Sequence, residues 1–211
     1  MKPDQPFPIA EIDAYQCVSI NRFNLRHFAS EFQNSVALFE LLERGGGPPS
    51  TGVFGGVFIL YRIIAARDGA LNVYHFKCCL EAIKKQLPDC PSLEANPVAI
   101  RNIYKHFNRT FPHCDNVRNA VAHAGEIYKS PYWMKKHRQR TGHTGHGFSF
   151  SGGGGFFTHA LYERTYSVGI EGGVFSLTMD ATSVAKLIEI IQMVDAALPS
   201  PSAESSPPHS G

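Results

Sequence analysis

Over the first half of the chain, apolar residues recur every three to four positions, the spacing that gathers them on one face of a helix. Between residues 12 and 43 the stripe is Phe28, Phe32, Val36 and Phe39, with Arg26, Glu31, Glu40 and Arg44 mostly off it. Gly45-Gly46-Gly47-Pro48-Pro49 ends that helix, and Ser50 or Thr51 can cap the next. A second helical pattern covers 53–87, with Phe54, Phe58, Tyr61 and Ile64 or Ala65 on one face, then Tyr74, Cys78 and the run from Leu80 to Ile83. Asp68-Gly69 is expected to bend or split it, and Pro88 and Pro91 to stop it. A third helix is predicted over 97–110, opened by Pro97, with Ile100, Ile103, Tyr104 and Phe107 inward. A fourth, over 117–128, follows Pro112 and an N-cap at Asp115 or Asn116.

Residues 130–155 break the period. They hold His-Arg-Gln-Arg, glycines interleaved with His143 and His146, and Gly152 to Gly155, a pattern that reads as one long loop. The period then switches to two. Stretches 161–170 and 174–179 flank Glu171-Gly172-Gly173, predicting a β-hairpin within about 156–179. Asp180 or Thr182 caps a last helix through Leu198, with Val184, Leu187, Ile188, Ile191 and Val194 inward. The Pro/Ser-rich stretch 199–211 is expected to be a disordered tail. The fold class is therefore mainly α, one helical domain over 1–198 with a small β-hairpin and a C-terminal helix appended.

Composition narrows the class. Of 211 residues, 43% are hydrophobic and 18% charged, which suits a globular domain. A net charge of +2 is too small to argue for nucleic acid, so any basic surface must be local. The apolar stretch 53–66 is interrupted by Gly55, Gly56 and Arg62, and falls short of the ~20 residues a bilayer span needs. No targeting segment is visible in the first residues. The five cysteines, Cys17, Cys78, Cys79, Cys90 and Cys114, form no CxxC pair and fit free thiols used in packing. A soluble, cytoplasmic protein without a membrane partner is expected.

Candidate chemistry concentrates in Val117-Arg118-Asn119-Ala120-Val121-Ala122-His123-Ala124-Gly125-Glu126. Residues four apart on a helix lie about 40° from each other, so Asn119 and His123 share a face. Arg118 is one residue aside but can fold over it. A guanidinium forks onto phosphate oxygens, an imidazole exchanges a proton near neutrality, and an amide orients either. Together these groups suffice for transesterification of RNA with no metal or other cofactor: the base takes the 2′-OH proton and the Arg steadies the phosphorus centre. Ala120, Ala122 and Ala124 keep the surroundings small, which permits close approach of a second helix or a substrate strand.

An Arg, a polar residue and then a His, on a late helix after long helices, resembles the HEPN family (higher eukaryotes and prokaryotes nucleotide-binding). Its signature is an Arg and a His separated by roughly four to six residues, commonly with a polar residue after the Arg. Here Arg118-Asn119 precedes His123. The resemblance implies a helical bundle and a metal-independent endoribonuclease working as a homodimer, with two motifs facing one cleft. By position, Arg118 would bind phosphate, His123 transfer protons and Asn119 orient them. It also implies a toxin or phage-defence effector, with an antitoxin or regulatory protein as partner. Some family members lack activity, so a non-catalytic RNA- or protein-binding module is the alternative. Exposure of both Arg118 and His123 would fit catalysis; burial of either would fit a structural role.

Two further clusters carry weaker signals. His137, His143 and His146 lie close in sequence, yet no acidic or thiol ligand accompanies them, so a metal site is not expected. Lys135, Lys136, Arg138 and Arg140 surround them and are better suited to RNA phosphates. Tyr128, Tyr132 and Trp133 are candidates to stack on bases. The glycine runs lack the Lys-Ser or Lys-Thr of a phosphate loop.

Overall fold

The computed structural model describes residues 8–45, 53–125, 129–138, 143–145, 148–150 and 159–198. Two long helices dominate. Helix α1 (Ile12–Gly45) and helix α2 (Val53–Gln86) have 34 residues each, about 51 Å, and pack antiparallel. Phe39 lies beside Arg62, Ser35 beside Asp68 and Phe28 beside His75, so the register is continuous along the hairpin. Phe32, Val36 and Phe39 are buried as the sequence stripe predicts, with Val18, Leu25 and Ala29 extending it and Phe28 at its margin. Each such side chain contributes roughly 1.5–3 kcal/mol on burial.

Helix α2 does not split at Asp68-Gly69; it is continuous from Val53 to Gln86. The Asp68 carboxylate accepts the Ser35 hydroxyl at 2.6 Å and the Asn72 amide at 3.2 Å, which ties it to α1 and to its own next turn. Gly69 is needed for approach: a Cβ there would stand 2.4 Å from Met179 Cε and 3.3 Å from a Phe32 ring carbon. Tyr61, expected inward, is 52% exposed; of the alternatives Ile64 and Ala65, Ala65 is buried and Ile64 is 55% exposed. Ile59 and Leu60 of α2 and Leu38 and Leu41 of α1 are exposed near the same end of the hairpin.

Helix α3 (Pro97–Thr110) starts as its sequence specifies, with Pro97 in the first turn and the Asn96 side chain accepting the Val98 and Ala99 amides at 3.1 and 3.0 Å. Ile100, Ile103 and Phe107 are buried, and Phe107 stacks on Phe76 of α2. The last helix, α6 (Ala181–Ala197), is capped by Asp180, which accepts the Ser183 amide at 2.7 Å. It packs on α1 and α3, and its Asp195 takes Arg22 at 2.8 Å and Arg26 at 2.6 Å. Val184, Leu187 and Val194 face inward as expected. Ile188 does not: it is 43% exposed, and Ile190 takes the buried place.

The strand region departs from a simple hairpin. The expected strand 161–170 divides at Glu163-Arg164 into β3 (His159–Tyr162) and β4 (Thr165–Ile170), and β5 (Gly173–Thr178) follows. They form an antiparallel sheet in the order β3-β4-β5. At the β3–β4 turn Glu163 has φ 49° and Tyr162 pairs with Thr165. At the β4–β5 turn Glu171 and Gly172 have φ 50° and 81°, with Ile170 opposite Gly173, a two-residue turn whose twist matches the strands. The central strand is buried along nearly its whole length, with helix α4 (Cys114–Ala122) packed against β4 and β5. Burial pushes the Tyr166 phenol up to about 12.

The long-loop expectation for 130–155 is also corrected. Helix α5 (Pro131–His137) forms there, and strands β1 (His143–Gly145) and β2 (Phe148–Phe150) pair antiparallel. Ser130-Pro131 is itself a helix-start signal: the Ser130 hydroxyl accepts the Trp133 amide at 3.4 Å and Pro131 opens the first turn. Among the described residues no helix is long and apolar enough to cross a membrane. The expected tail over 199–211 lies outside the described residues, as do Tyr128 and Arg140.

Candidate active site

Helix α4 (Cys114–Ala122) carries the Arg118/Asn119/His123 constellation, and its boundaries differ from the expected 117–128. Its N-cap is His113, with no side-chain cap bond. Asp115, expected to cap, instead forms an ion pair with Lys77 of α2. Burial works against the Lys77 ammonium, and the hydrogen bond and charge of Asp115 more than offset it, raising its pKa. Cys114, Val117, Ala120 and Val121 are buried, a stripe of period three to four. After Val121 that stripe ends: Ala122, His123 and Gly125 are exposed, so a further turn would bury little. His123 is the C-cap, and its amide closes the last turn on the Asn119 carbonyl at 3.0 Å.

With one face of α4 buried, Asp115, Arg118 and Asn119 are turned outward along the α2 side. Asp115 and Arg118, three apart, meet Lys77 and Tyr74, also three apart on α2. The Arg118 guanidinium lies over the Tyr74 ring, 4.9 Å from its centroid, and donates to Asn119 Oδ1 at 3.0 Å. A stacked and hydrogen-bonded guanidinium loses less freedom when it takes a further anion. The Tyr74 phenol is raised, chiefly by its hydrogen bond to Cys78, while Arg118 pulls in the opposite direction. Arg118 is half-buried; Asn119 and His123 are exposed. His123 meets the exposure expected of a catalytic group; Arg118, half-buried on Tyr74, meets it only in part.

The second imidazole near this site is His137, at the end of α5. It is buried, stacks on Trp133 (centroids 5.7 Å apart, planes 18°), and accepts the Glu171 backbone N–H at Nδ1, 3.1 Å away. Its pKa is lowered by burial first, then by the Lys136 charge; Glu171 acts in the opposite sense, and His123 is close enough to lower it further.

The basic residues of 135–140 divide. Lys135 and Arg138 are exposed. Lys136 is drawn onto Glu171 at 2.8 Å and over the Trp133 ring at 5.1 Å, so its ammonium is committed to holding α5. Tyr132 is exposed and meets Trp133 edge-on. His137, read with the loop histidines, belongs to the fold; the Ser130-Pro131 start and the Trp133/His137 spacing of four were the signals that could have revealed it. Tyr74, read as part of a core face, is the other residue missed. Among the described residues no three His, Cys, Asp or Glu side chains gather as a metal-holding group.

A cavity of about 180 Å³ opens at the other end of α4, lined by His113, Cys114, Ser176, Asp180 and Lys186 among others; it does not include the motif. Compared with family models, curated proteins and solved structures, the chain matches none.

Proposed function

We propose that the chain is an endoribonuclease of the HEPN type, in which His123 transfers protons and Arg118 stabilises charge on the phosphate. The observation that carries it is the joint placement of the two groups at the outward end of α4, with Arg118 already oriented by Tyr74 and Asn119. In the reaction His123 takes the proton of a 2′-OH, the O2′–P bond forms and the P–O5′ bond breaks. The leaving 5′ oxygen receives a proton, giving a 2′,3′-cyclic phosphate and a 5′-hydroxyl. In a two-fold homodimer one His123 serves as base and the other as acid; exposed Ala122 beside His123 leaves room for a twin. Lys135 and Arg138 supply charge along the RNA backbone.

RNA cleavage in the presence of chelator tests this. His123→Ala and Arg118→Ala should each lower the rate by about a hundredfold to ten-thousandfold with the fold retained. Asn119→Ala should lower it less, because it acts through Arg118. DNA, lacking the 2′-OH, should resist. Cleavage of DNA, a metal requirement, or full activity of His123→Ala would remove the proposal. A well-folded, inactive wild type that still retains RNA or protein would favour the binding-module alternative.

A further inference from the structure

We infer that His137 is a positioning residue: by accepting the Glu171 amide it anchors α5, which carries Lys135 and ends at Arg138, to the β4–β5 turn. As far as it concerns RNA, this rests on the ribonuclease reading; the anchor itself does not. Helix α5 has only seven residues, too few to be stable alone. Two links tie it to the β4–β5 turn. The Glu171 N–H donates to His137 Nδ1 at 3.1 Å, and the Glu171 carboxylate takes Lys136 at 2.8 Å. The Lys136–Glu171 pair is exposed and weak by its nature. The Glu171–His137 bond is part-buried, with the accepting imidazole itself buried, and a buried ring nitrogen that loses its partner is costly.

An Nδ1 that accepts a hydrogen bond fixes the imidazole as neutral, with its proton on Nε2. Protonation places a hydrogen on Nδ1 and removes the acceptor. The charged groups facing His137 are Lys136 from its own helix, Glu171 from the sheet and His123 from the end of α4. Burial, Lys136 and His123 favour the neutral ring, and Glu171 opposes them. The anchor is therefore closed at neutral pH and opens as pH falls below the ordinary histidine range.

Trp133, the one tryptophan of the chain, stacks on His137 and reports the anchor without RNA. Two variants separate the bond from the stack. His137→Asn keeps an acceptor near the Nδ1 position and does not titrate; His137→Phe keeps a ring and loses the acceptor. At pH 7.5, Trp133 emission of His137→Asn should match wild type, while His137→Phe should be red-shifted. The Glu171 amide should exchange about tenfold faster in His137→Phe than in wild type. Wild-type emission should move toward the His137→Phe value as pH falls below about 6.5, and His137→Asn should not. Far-UV circular dichroism should show the bundle intact in all three proteins. With RNA, His137→Phe should raise KM more than it lowers kcat, the reverse of His123→Ala.

Docking retained by His137→Phe and lost by His137→Asn would overturn the inference in favour of stacking. A wild-type emission unchanged from pH 7.5 to 5 would overturn it too. An inactive wild type whose Trp133 and Glu171 signals behave as stated would instead count against the ribonuclease reading and leave the anchor standing.

Discussion

The two turns that close β4 invite comparison, because both begin with a glutamate at positive φ and each is fastened differently. At the β3–β4 end, Arg164 pairs with Glu40 at 2.8 Å and Glu43 at 3.4 Å. Arg62 donates to the Glu163 carbonyl at 2.8 Å, and the Arg164 carbonyl accepts the Met179 amide at 2.7 Å. This end is held by guanidinium–carboxylate pairs and backbone carbonyls, with no imidazole in any of these contacts. At the β4–β5 end the buried fastening is one imidazole, His137, whose acceptor nitrogen is lost on protonation. Six residues of strand separate a fixed end from one that responds to pH. The imidazole at the responsive end is also the one that senses the His123 charge.

Four measurements break or sharpen that contrast. The largest effect is expected from Met179→Ala at the fixed end. Met179 is fully buried against Gly69 and Phe32, so its truncation should cost about 2–5 kcal/mol in urea denaturation. Trp133 emission should stay put; a red shift would show that the two ends move together. Next comes Arg164→Ala. Arg164 is partly exposed and Arg62 remains beside Glu43, so the loss should be about 0.5–1 kcal/mol. It should shrink at high salt and be equal at pH 5.5 and 7.5; a loss confined to one pH would erase the distinction.

The smallest effect belongs to Glu171→Gln, which breaks only the exposed pair with Lys136, whose side chains are 39% and 60% accessible. Its unfolding midpoint at pH 7.5 should match wild type. The pH dependence carries a definite sign. The folded His137 pKa is lowered, so stability from its neutral form is present above the unfolded value, about 6.5. It is lost as pH falls toward the folded value. The wild-type midpoint should therefore drop faster than that of His137→Asn on acidification; parallel curves would count against an anchoring imidazole.

Local pattern already contained the long helices, the first-turn Pro97, the cap at Asp180 and the glutamate–glycine turn. Each follows from period, turn chemistry or cap chemistry acting within a few residues. What local pattern misjudged depends on partners far along the chain. Asp115 reads as a cap, and it is taken by Lys77 thirty-eight residues away. Asp68-Gly69 reads as a break, and α2 runs through it because Met179 needs the missing Cβ. Tyr74 reads as core, and it becomes the platform for Arg118 only once α4 lies across α2. His137 reads as one of several loop histidines until Glu171, thirty-four residues on, presents its amide. Amphipathic period and capping are properties of neighbours in sequence. The choice among a charged residue's partners, and of which ring loses its water, is made only when distant elements pack.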